Sequence, residues 1–409
     1  MFIVLWIYIF EHIKNPFSSR ADKLEAISSK LSKINIIYVK LFQILSTAKD
    51  NLTQEEMDVL KFYTENVPYE RDEIDLANII RQLSKYNISL STFEPVASGI
   101  ISIIYNAVDN TTGLSLIVKK KRINIENRIY KDIKNIRPFV KFLSFFTNIN
   151  ICDIFEENVN MIINQTDFLK ESNNIKYFYD NNIDSTFIKV PKVYQDITYN
   201  EYNIIVMEKI EGNKLCDVSH ADKELYLHNL SKITVKSIVL DKVFHADMHQ
   251  GNIIFMPNGV IGLIDYGIVG YLSREEQDIY MNFFKYLYKK NFDELTNHLI
   301  NSLTEPECIL NAMEPCDKDE LFNYIKTILV NVFNISGHLS HNDLNDISKR
   351  LLHYNLSLSK KFCKFELAMA CSDGVLKILG DNICTPIDCM VSSIDALLPV
   401  EFLELMGWK

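Results

Sequence analysis

The chain has 409 residues, enough for two or three packed units, and its 47% hydrophobic and 23% charged residues are typical of a globular protein. A formal net charge of -10 argues against nucleic acid as a partner, because affinity for a phosphate backbone depends largely on lysine and arginine. The 8 cysteines form no CxxC pair and follow no recognisable secretory leader. We therefore expect reduced thiols and a cytoplasmic location, with peripheral membrane attachment left open.

The apolar opening of the chain, Met1–Phe10, is about half of the roughly 20 residues that are needed to cross a bilayer. It is therefore not predicted to span a membrane. Two interpretations stay open: an interfacial anchor that uses the aromatic residues Trp6, Tyr8 and Phe10, or the end of a strand or helix packed on the fold.

Residues 1–90 are predicted to form a helical N-terminal extension. Apolar positions recur at spacings of three and four residues from Leu24 to Leu45, which indicates amphipathic helices. After Pro68 the pattern resumes from Asp75 to Tyr86 as a further helix.

Residues 91–210 are predicted to form a small lobe around an antiparallel sheet. Branched residues at Ile100–Val108 and Leu114–Lys120 flank the turn-like residues 109–113, which is typical of a hairpin. Two more short strands are predicted at Lys189–Tyr194 and Tyr202–Met207, around an Asn- and Asp-rich turn.

Residues 211–409 are predicted to form a larger helical lobe. A helix is expected from Leu225 to Leu240, followed by a hairpin from Ile253 to Ile264. Everything after the hairpin is predicted to be helical, and Ser273 and Glu276 have the spacing of a capping box that begins a long helix.

The chemistry is concentrated in His245-Ala246-Asp247-Met248-His249-Gln250-Gly251-Asn252 and, after the hairpin, in Asp265-Tyr266-Gly267. Asp247 is predicted to orient the attacking group as the catalytic aspartate, and Asn252 and Asp265 to hold Mg²⁺ through oxygen atoms. Either triplet alone is common, but both in this order around a hairpin indicate phosphoryl transfer.

A lysine should precede these motifs on a strand of the small sheet, and Lys119 is the candidate for the α- and β-phosphates of ATP. The competing interpretation assigns Lys119 to a solvated run with Lys120, Lys121 and Arg122. Strand alternation nevertheless requires Lys119 and Lys120 to face opposite sides of the sheet. Glu171 is the predicted helix partner of Lys119.

These motifs resemble the UbiB family of atypical kinases. HADMHQGN and IDYGIVGYLS are similar to its HxDxHPGN and DFGxxGxLS patterns, and QTDFLKESNN at 165–174 resembles its ELDFxxEAxN helix. PVASGIIS at 95–102 falls at the family's alanine-rich nucleotide loop. KLFQ matches the KxGQ extension motif at Lys40 and Gln43. The resemblance covers residues 36–275.

The resemblance implies an α+β, protein-kinase-like two-lobe fold, with a small antiparallel-sheet lobe, a large helical lobe and a helical N-terminal extension. It further implies ATP bound between the lobes, Lys119 paired with Glu171, Asp247 as the catalytic aspartate, and Mg²⁺ on Asn252 and Asp265. The candidate nucleotide contacts also include Ala97, Ser98, Gly99 and Met207.

Members of the family are tied to coenzyme Q and other isoprenoid-lipid metabolism, act at membrane surfaces, and resemble ATPases or lipid-linked kinases. In them the extension that carries Lys40 and Gln43 folds over the cleft and excludes protein substrates. Phe42 stands where the family has glycine, so we expect the extension to dock differently here.

Two alternatives stay open. The first is a small-molecule kinase of the aminoglycoside or choline type, which also uses HxDxxxxN and IDxG motifs. The second is a nucleotide-binding pseudokinase that acts as a scaffold at a membrane. Neither the phosphoryl acceptor nor the oligomeric state can be deduced from the sequence.

Overall fold

The computed structural model describes residues 14, 18–35, 37–39, 42, 53–65, 67–144, 151–333, 341–380 and 386–408. The chain forms two compact units. The first consists of Met1–Asp180 and Pro191–Ile210, and the second of Asn181–Val190 and Glu211–Lys409.

The described part of the first unit contains one antiparallel sheet and most of the helices before residue 201. Its helices are α1 (Arg20–Ile34), α2 (Gln54–Glu65), α3 (Leu76–Ser84), α4 (Ile125–Ser144), α5 (Ile151–Asn164), α6 (Phe168–Asn181) and α7 (Gln195–Asn200). Its strands are β1 (Ile88–Leu90), β2 (Ala97–Ser98), β3 (Ser102–Asp109), β4 (Ser115–Lys121) and β6 (Ile204–Glu208), and the second unit takes β5 (Ile188–Lys189).

The sheet has the order β1–β3–β4–β6, and β2 pairs with β3. Because side chains alternate along a strand, Leu116 and Val118 of β4 pack with Ile79 and Leu83 of α3 on one face. Lys119 lies between Val118 and Lys120 in the same strand and so points to the other face. Alternation thus separates the apolar core from the predicted site.

The described part of the N-terminal extension has its own small core. Helix α1 begins with a capping box between Ser19 and Asp22, and it packs on α2. The buried residues of this core are Leu31, Val39, Phe42, Leu60, Tyr63 and Val67, with Ile100, between β2 and β3, partly buried against them. The extension therefore folds through apolar burial rather than through helix propensity alone.

The second unit is mainly helical, and its described residues include three small sheets. Its helices are α8 (Lys223–Val239), α9 (Arg274–Tyr288), α10 (Phe292–Leu303), α11 (Glu307–Ala312), α12 (Pro315–Asn331), α13 (His341–His353), α14 (Lys360–Leu379), α15 (Pro386–Leu397) and α16 (Val400–Leu405). Its strands after β5 are β7 (Val243–His245), β8 (Ile253–Phe255), β9 (Ile261–Leu263), β10 (Val269–Tyr271), β11 (Thr304–Glu305) and β12 (Ser357–Leu358).

Helix α8 is the centre of this unit, since it is buried on most sides and contacts α9, α14, α15 and β7. Strand β7 pairs with β10, and β9 pairs with both β5 and β8. The β8–β9 hairpin reverses at Asn258 and Gly259, whose φ values of 61° and 77° suit a tight turn.

The predicted α+β class is confirmed, as are the hairpins at 100–120 and 253–264 and the capping box of Ser273 and Glu276. The predicted strand from Lys189 to Tyr194 is wrong in extent. Its first residue pairs with β9 in the second unit, and only Val193 bridges to Met207. Pro191 interrupts the strand because it has no amide hydrogen to donate.

Two other predictions need correction. The region after the hairpin is not entirely helical, because β10 returns to pair with β7 and β11 pairs with β12. Cys389 is disulfide-bonded, whereas Cys216, Cys308, Cys316 and Cys363 are free. Spacing along a sequence cannot reveal cysteines that only the fold brings together.

Among the described residues, no helix has the length and the apolar run that crossing a membrane requires. Met1–Phe10, for which an interfacial anchor and a packed strand or helix end are both open, lies outside the described residues.

Candidate active site

The predicted phosphate-binding lysine forms a buried ion pair with the predicted helix glutamate. Lys119 Nζ lies 2.6 Å from Glu171 Oε1, and the two residues are 7% and 2% exposed. Glu171 lies in the first turn of α6, where the Asp167 carboxylate accepts a hydrogen bond from the Lys170 amide. Because two buried charges are costly in free energy unless they are paired, the position of Lys119 depends on Glu171.

Lys119 is the first of four consecutive cationic residues, and each of them contacts a different element. The contacts are Lys119 with Glu171, Lys120 with Gln82 at 2.8 Å, Lys121 with Glu126 at 2.9 Å, and Arg122 with Glu73 at 2.7 Å. Lys120 and Arg122 are as buried as Lys119. The alternative interpretation of this run as a solvated face is therefore wrong.

Burial also changes the pKa of one lysine in this strand. It lowers the pKa of Lys120 to about 8, an effect that the nearby Glu201 and Asp75 carboxylates oppose and the Lys121 charge adds to. Gln82, which accepts from Lys120, donates in turn to Glu201 Oε2 at 2.5 Å. The lysine on the far face of β4 is thus part of a polar chain that reaches α3 and the turn before β6.

The predicted nucleotide loop is a short hairpin on the edge of the same sheet. Ala97 and Ser98 pair with β3, and the Gly99 amide donates to the Ser102 carbonyl at 2.8 Å. The Ser98 hydroxyl donates to the Val67 carbonyl at 2.6 Å, so its hydrogen is already used within the chain. A Cβ at Gly99 would lie 3.6 Å from the Ser102 oxygen, an ordinary contact. The glycine is therefore not required by packing within the chain.

The remaining predictions in the first unit concern Met207 and the KLFQ motif. Met207 is buried in β6 opposite Ile117, which precedes Lys119 by two residues on the neighbouring strand. Lys40 and Gln43 lie outside the described residues, so their regulatory role stays a prediction. Phe42 is buried, and its ring lies 5.2 Å from that of Tyr63.

In the second unit, His245 connects the two motifs. Its Nδ1 accepts a hydrogen bond from the Asp247 amide at 3.1 Å, so the ring hydrogen is assigned to Nε2, which donates to the Asp265 carbonyl. Burial lowers the pKa of His245 and favours this neutral form. The backbone at Asp247 and the backbone at Asp265 are therefore held by one imidazole.

Asn252 also contacts the Asp247 loop. Its Nδ2 donates to the Asp247 carbonyl at 2.9 Å, which directs the amide oxygen away from that carbonyl. His249 Nδ1 accepts from the Gly251 amide at 3.1 Å, and His249 Nε2 lies 3.7 Å from Asp247 Oδ2. These contacts bring Asp247 and Asn252 together, and their predicted roles toward substrate and Mg²⁺ stay predictions.

The loop after Asp265 is held beside the Asp247 loop by hydrogen bonds and by tight packing at Gly270. Asp265 Oδ1 accepts from the Gly267 amide at 2.9 Å, and the Ala246 amide donates to the Ile268 carbonyl at 3.1 Å. A Cβ at Gly270 would lie 2.2 Å from the Phe244 ring. With the Phe244 ring in this position, only glycine fits at position 270 of β10.

The donor set fits Mg²⁺. Asn252 offers an amide oxygen and Asp265 a carboxylate, and the Ile264 amide, next to Asp265, donates to the Asn252 carbonyl at 3.2 Å. Two hard oxygen donors suit an ion that usually keeps waters and substrate phosphates as its other ligands. Among the described residues there is no group of three or more His, Cys, Asp and Glu that would form an all-protein metal cage.

Sequence reasoning missed the roles of His245 and Arg122. His245 stands inside the motif and could have been noticed from its position two residues before Asp247. The contacts of Arg122 with the backbone of the extension had no signal in the sequence, because its partners, 54 and 55 residues away, are main-chain carbonyls that no side-chain pattern marks.

Comparison with known proteins gives a family match. The model of the ABC1 atypical kinase-like domain matches residues 84–299, which is more than half of the chain. A solved structure from Mycobacterium tuberculosis, described as the complex structure of Rv3197-erythromycin, is similar in fold with a TM-score of 0.53. It is 18% identical and covers 80% of this chain and 83% of its own.

Curated relatives point the same way. The chain is 26% identical over 69% of its length to Protein ACTIVITY OF BC1 COMPLEX KINASE 1, chloroplastic, of Arabidopsis thaliana. It is 24% and 28% identical, over 78% and 69% of its length, to proteins named Probable protein kinase UbiB from Shewanella halifaxensis and Pseudomonas fluorescens. The chain spans 42%, 61% and 56% of these three relatives, about half their length. The predicted resemblance is confirmed, and the chain belongs to the family of ABC1 atypical kinase-like proteins, which includes UbiB.

Proposed function

We propose that this protein binds ATP with Mg²⁺ and either hydrolyses the nucleotide or transfers its γ-phosphoryl group as an atypical kinase. The observation that carries the proposal is the buried ion pair of Lys119 and Glu171. A buried pair is no gain in stability over apolar residues of similar size, so its presence indicates a use for the charge of Lys119. In the proposal Lys119 binds the α- and β-phosphates.

The second unit supplies the remaining groups. Asp247 orients the attacking hydroxyl or water, and Asn252 and Asp265 hold Mg²⁺, which neutralises charge on the phosphates when it is bound. The neutral His245 keeps both loops in place through its two ring nitrogens. Ala97, Ser98, Gly99 and Met207 complete the proposed nucleotide contacts, to which the loop contributes its backbone rather than the Ser98 hydroxyl.

The test is a thermal shift measured with Mg²⁺ alone, ATP alone and both together. We expect the largest shift with both, and Asp265→Asn should abolish the Mg²⁺-dependent part. Asp241→Asn is the matched control, because Asp241 is a carboxylate of the same unit that pairs with Lys236 at 2.6 Å. It should lower the melting temperature and keep the Mg²⁺-dependent shift. A wild-type protein without any shift in Mg²⁺ and ATP would contradict the proposal.

We further propose that the protein acts at a membrane surface in lipid or quinone-related metabolism, with a lipid surface as its partner. Support comes from the family resemblance and from the apolar, aromatic-rich residues 1–10. Phosphatidylcholine liposomes should sediment the full chain and raise phosphate release, and removal of residues 1–15 should weaken both. Equal sedimentation and equal stimulation of the truncated protein would contradict the role of this segment.

A further inference from the structure

The backbone carbonyl of Val67 is a hydrogen-bond junction between the end of the extension and the small sheet. It accepts from the Ser98 hydroxyl at 2.6 Å and from Arg122 Nη2 at 3.1 Å, and the Val67 amide donates to the Ser98 carbonyl at 2.8 Å. Val67 is 2% exposed. Because a carbonyl oxygen has two lone pairs, these two donors use its full capacity.

Arg122 is the residue that makes this junction specific. Its guanidinium also donates from Nη1 to the Pro68 carbonyl at 3.1 Å and to Glu73 Oε2 at 2.7 Å, and the residue is 2% exposed. The planar fork of arginine can donate to three acceptors in fixed directions, which a single ammonium group cannot reproduce. Arg122 therefore holds three groups within residues 67–73 at once: the Val67 and Pro68 carbonyls and the Glu73 carboxylate.

The same arginine contacts the predicted nucleotide loop from its other end. The Arg122 amide donates to the Ile101 carbonyl at 2.9 Å, while Ser98 is bound to Val67. Ile100, between them, packs on the apolar cluster of the extension that contains Phe42 and Tyr63. Residues 98–101 are thus held at both ends and in the middle by Arg122 and the extension.

We propose that Arg122 is a positioning residue that sets the conformation of the 97–99 loop for the nucleotide through the Val67 carbonyl. The inference rests on the proposed function, because it concerns the affinity of that loop for Mg²⁺-ATP. Arg122 follows Lys119 by three residues, so one short segment both binds phosphate through Lys119 and positions the loop. The position of the extension then affects nucleotide affinity. Arg122 itself does not contact ATP in this inference.

Arg128 offers a matched control for a merely structural role. It contacts the other oxygen of Glu73, and its side chain is 33% exposed. Its described hydrogen bond goes to Glu73, whereas Arg122 also reaches the Val67 and Pro68 carbonyls. Arg128→Lys therefore perturbs the Glu73 pair and leaves the junction in place.

Two measurements on the full chain test the inference. The first is amide hydrogen exchange in residues 96–104, where the Val96 and Gly99 amides donate to Ile104 and Ser102. The second is the affinity for Mg²⁺ with a non-hydrolysable ATP analogue. Arg122→Lys should speed exchange there and weaken the affinity, each by about tenfold, the effect expected for one lost hydrogen bond to a charged donor. Arg128→Lys should change both by less than about twofold, a fraction of one such bond.

Ser98→Ala is the second variant, since it removes the other donor to Val67 without leaving a buried charge unpaired, and it should act in the same direction if Arg122→Lys fails to fold. Unchanged exchange in both variants, or faster exchange with unchanged affinity, would overturn the inference. Equal effects of the two arginine variants would overturn it as well. A wild-type protein that does not bind the analogue overturns the proposed function, and with it the positioning role, whatever the exchange rates are.

Discussion

The two units hold their predicted site residues by different means. In the first unit a charged side chain is buried against another charged side chain, Lys119 against Glu171. In the second unit Asp247 and Asp265 stay partly exposed, and their backbones are held by neutral groups of His245 and Asn252. A buried charge pair fails completely when one partner is lost, whereas neutral hydrogen bonds to a backbone fail one at a time.

The largest effect is expected from breaking the charge pair in the first unit. Lys119→Met should lower the free energy of unfolding by about 3–5 kcal/mol, because the buried Glu171 carboxylate loses its counter-charge. The double variant Lys119→Met, Glu171→Leu should recover most of that loss, since it removes both charges. Chemical denaturation measures both values.

Nucleotide binding by the same single and double variants tests the function of the Lys119–Glu171 pair separately from its effect on stability. Neither the single nor the double variant should show the thermal shift with Mg²⁺ and ATP, because the phosphate-binding charge is absent in both. A double variant that regains the nucleotide shift together with its stability would show that Lys119 has only a structural role.

The next effect concerns Lys120, the buried lysine on the opposite face of β4. Its pKa is about 8 in the folded protein against an ordinary value of 10.5, so the unfolded chain binds the proton more tightly between these values. The free energy of unfolding should therefore rise with pH from 8 to 10.5, by up to about 3 kcal/mol, and gain nothing more from this group above that range.

Lys120→Met removes this titration and gives the comparison curve. The difference in unfolding free energy between wild type and variant should be flat below pH 8 and increase above it. Other tyrosines and lysines titrate in both proteins and cancel. A difference that stays constant up to pH 10 would mean that Lys120 is solvated in the folded protein.

Much of this arrangement was predictable, because a short hairpin or a motif marks the residues concerned. The hairpin that brings Asn252 to Asp265 spans few residues, and the pairing of Lys119 with Glu171 follows from the order of the motifs and from strand alternation. The partners of Lys120 and Arg122 were not predictable, because no motif marks Gln82 or the Val67 backbone, which precede them by 38 and 55 residues. Runs of cations are usually solvated, and nothing local distinguishes this run from those.

The smallest effect is expected at Gly270 in the second unit. This position also depends on a residue that is not its neighbour in sequence, because the Phe244 ring packs against it. Gly270→Ala would place a methyl group 2.2 Å from the Phe244 ring, so β10 must move away from β7 or the ring must shift. We expect a loss of about 1–3 kcal/mol in unfolding free energy, the usual cost of overpacking. Since Ala246 and Ile268 are hydrogen-bonded in the same ribbon, the shift should also weaken the Mg²⁺-dependent thermal response.

Two variants make the Gly270 result specific. Gly374→Ala, in α14, adds a methyl group where no atom lies within 4 Å, so it should be neutral or stabilising by up to about 1 kcal/mol. Phe244→Leu combined with Gly270→Ala makes room for the new methyl group and should recover part of the Mg²⁺ response. If Gly270→Ala leaves that response intact while stability falls, the β7–β10 ribbon supports the fold without positioning Asp265. The neutral contacts of the second unit would then be less closely coupled to ligand binding than the Lys119–Glu171 pair of the first unit.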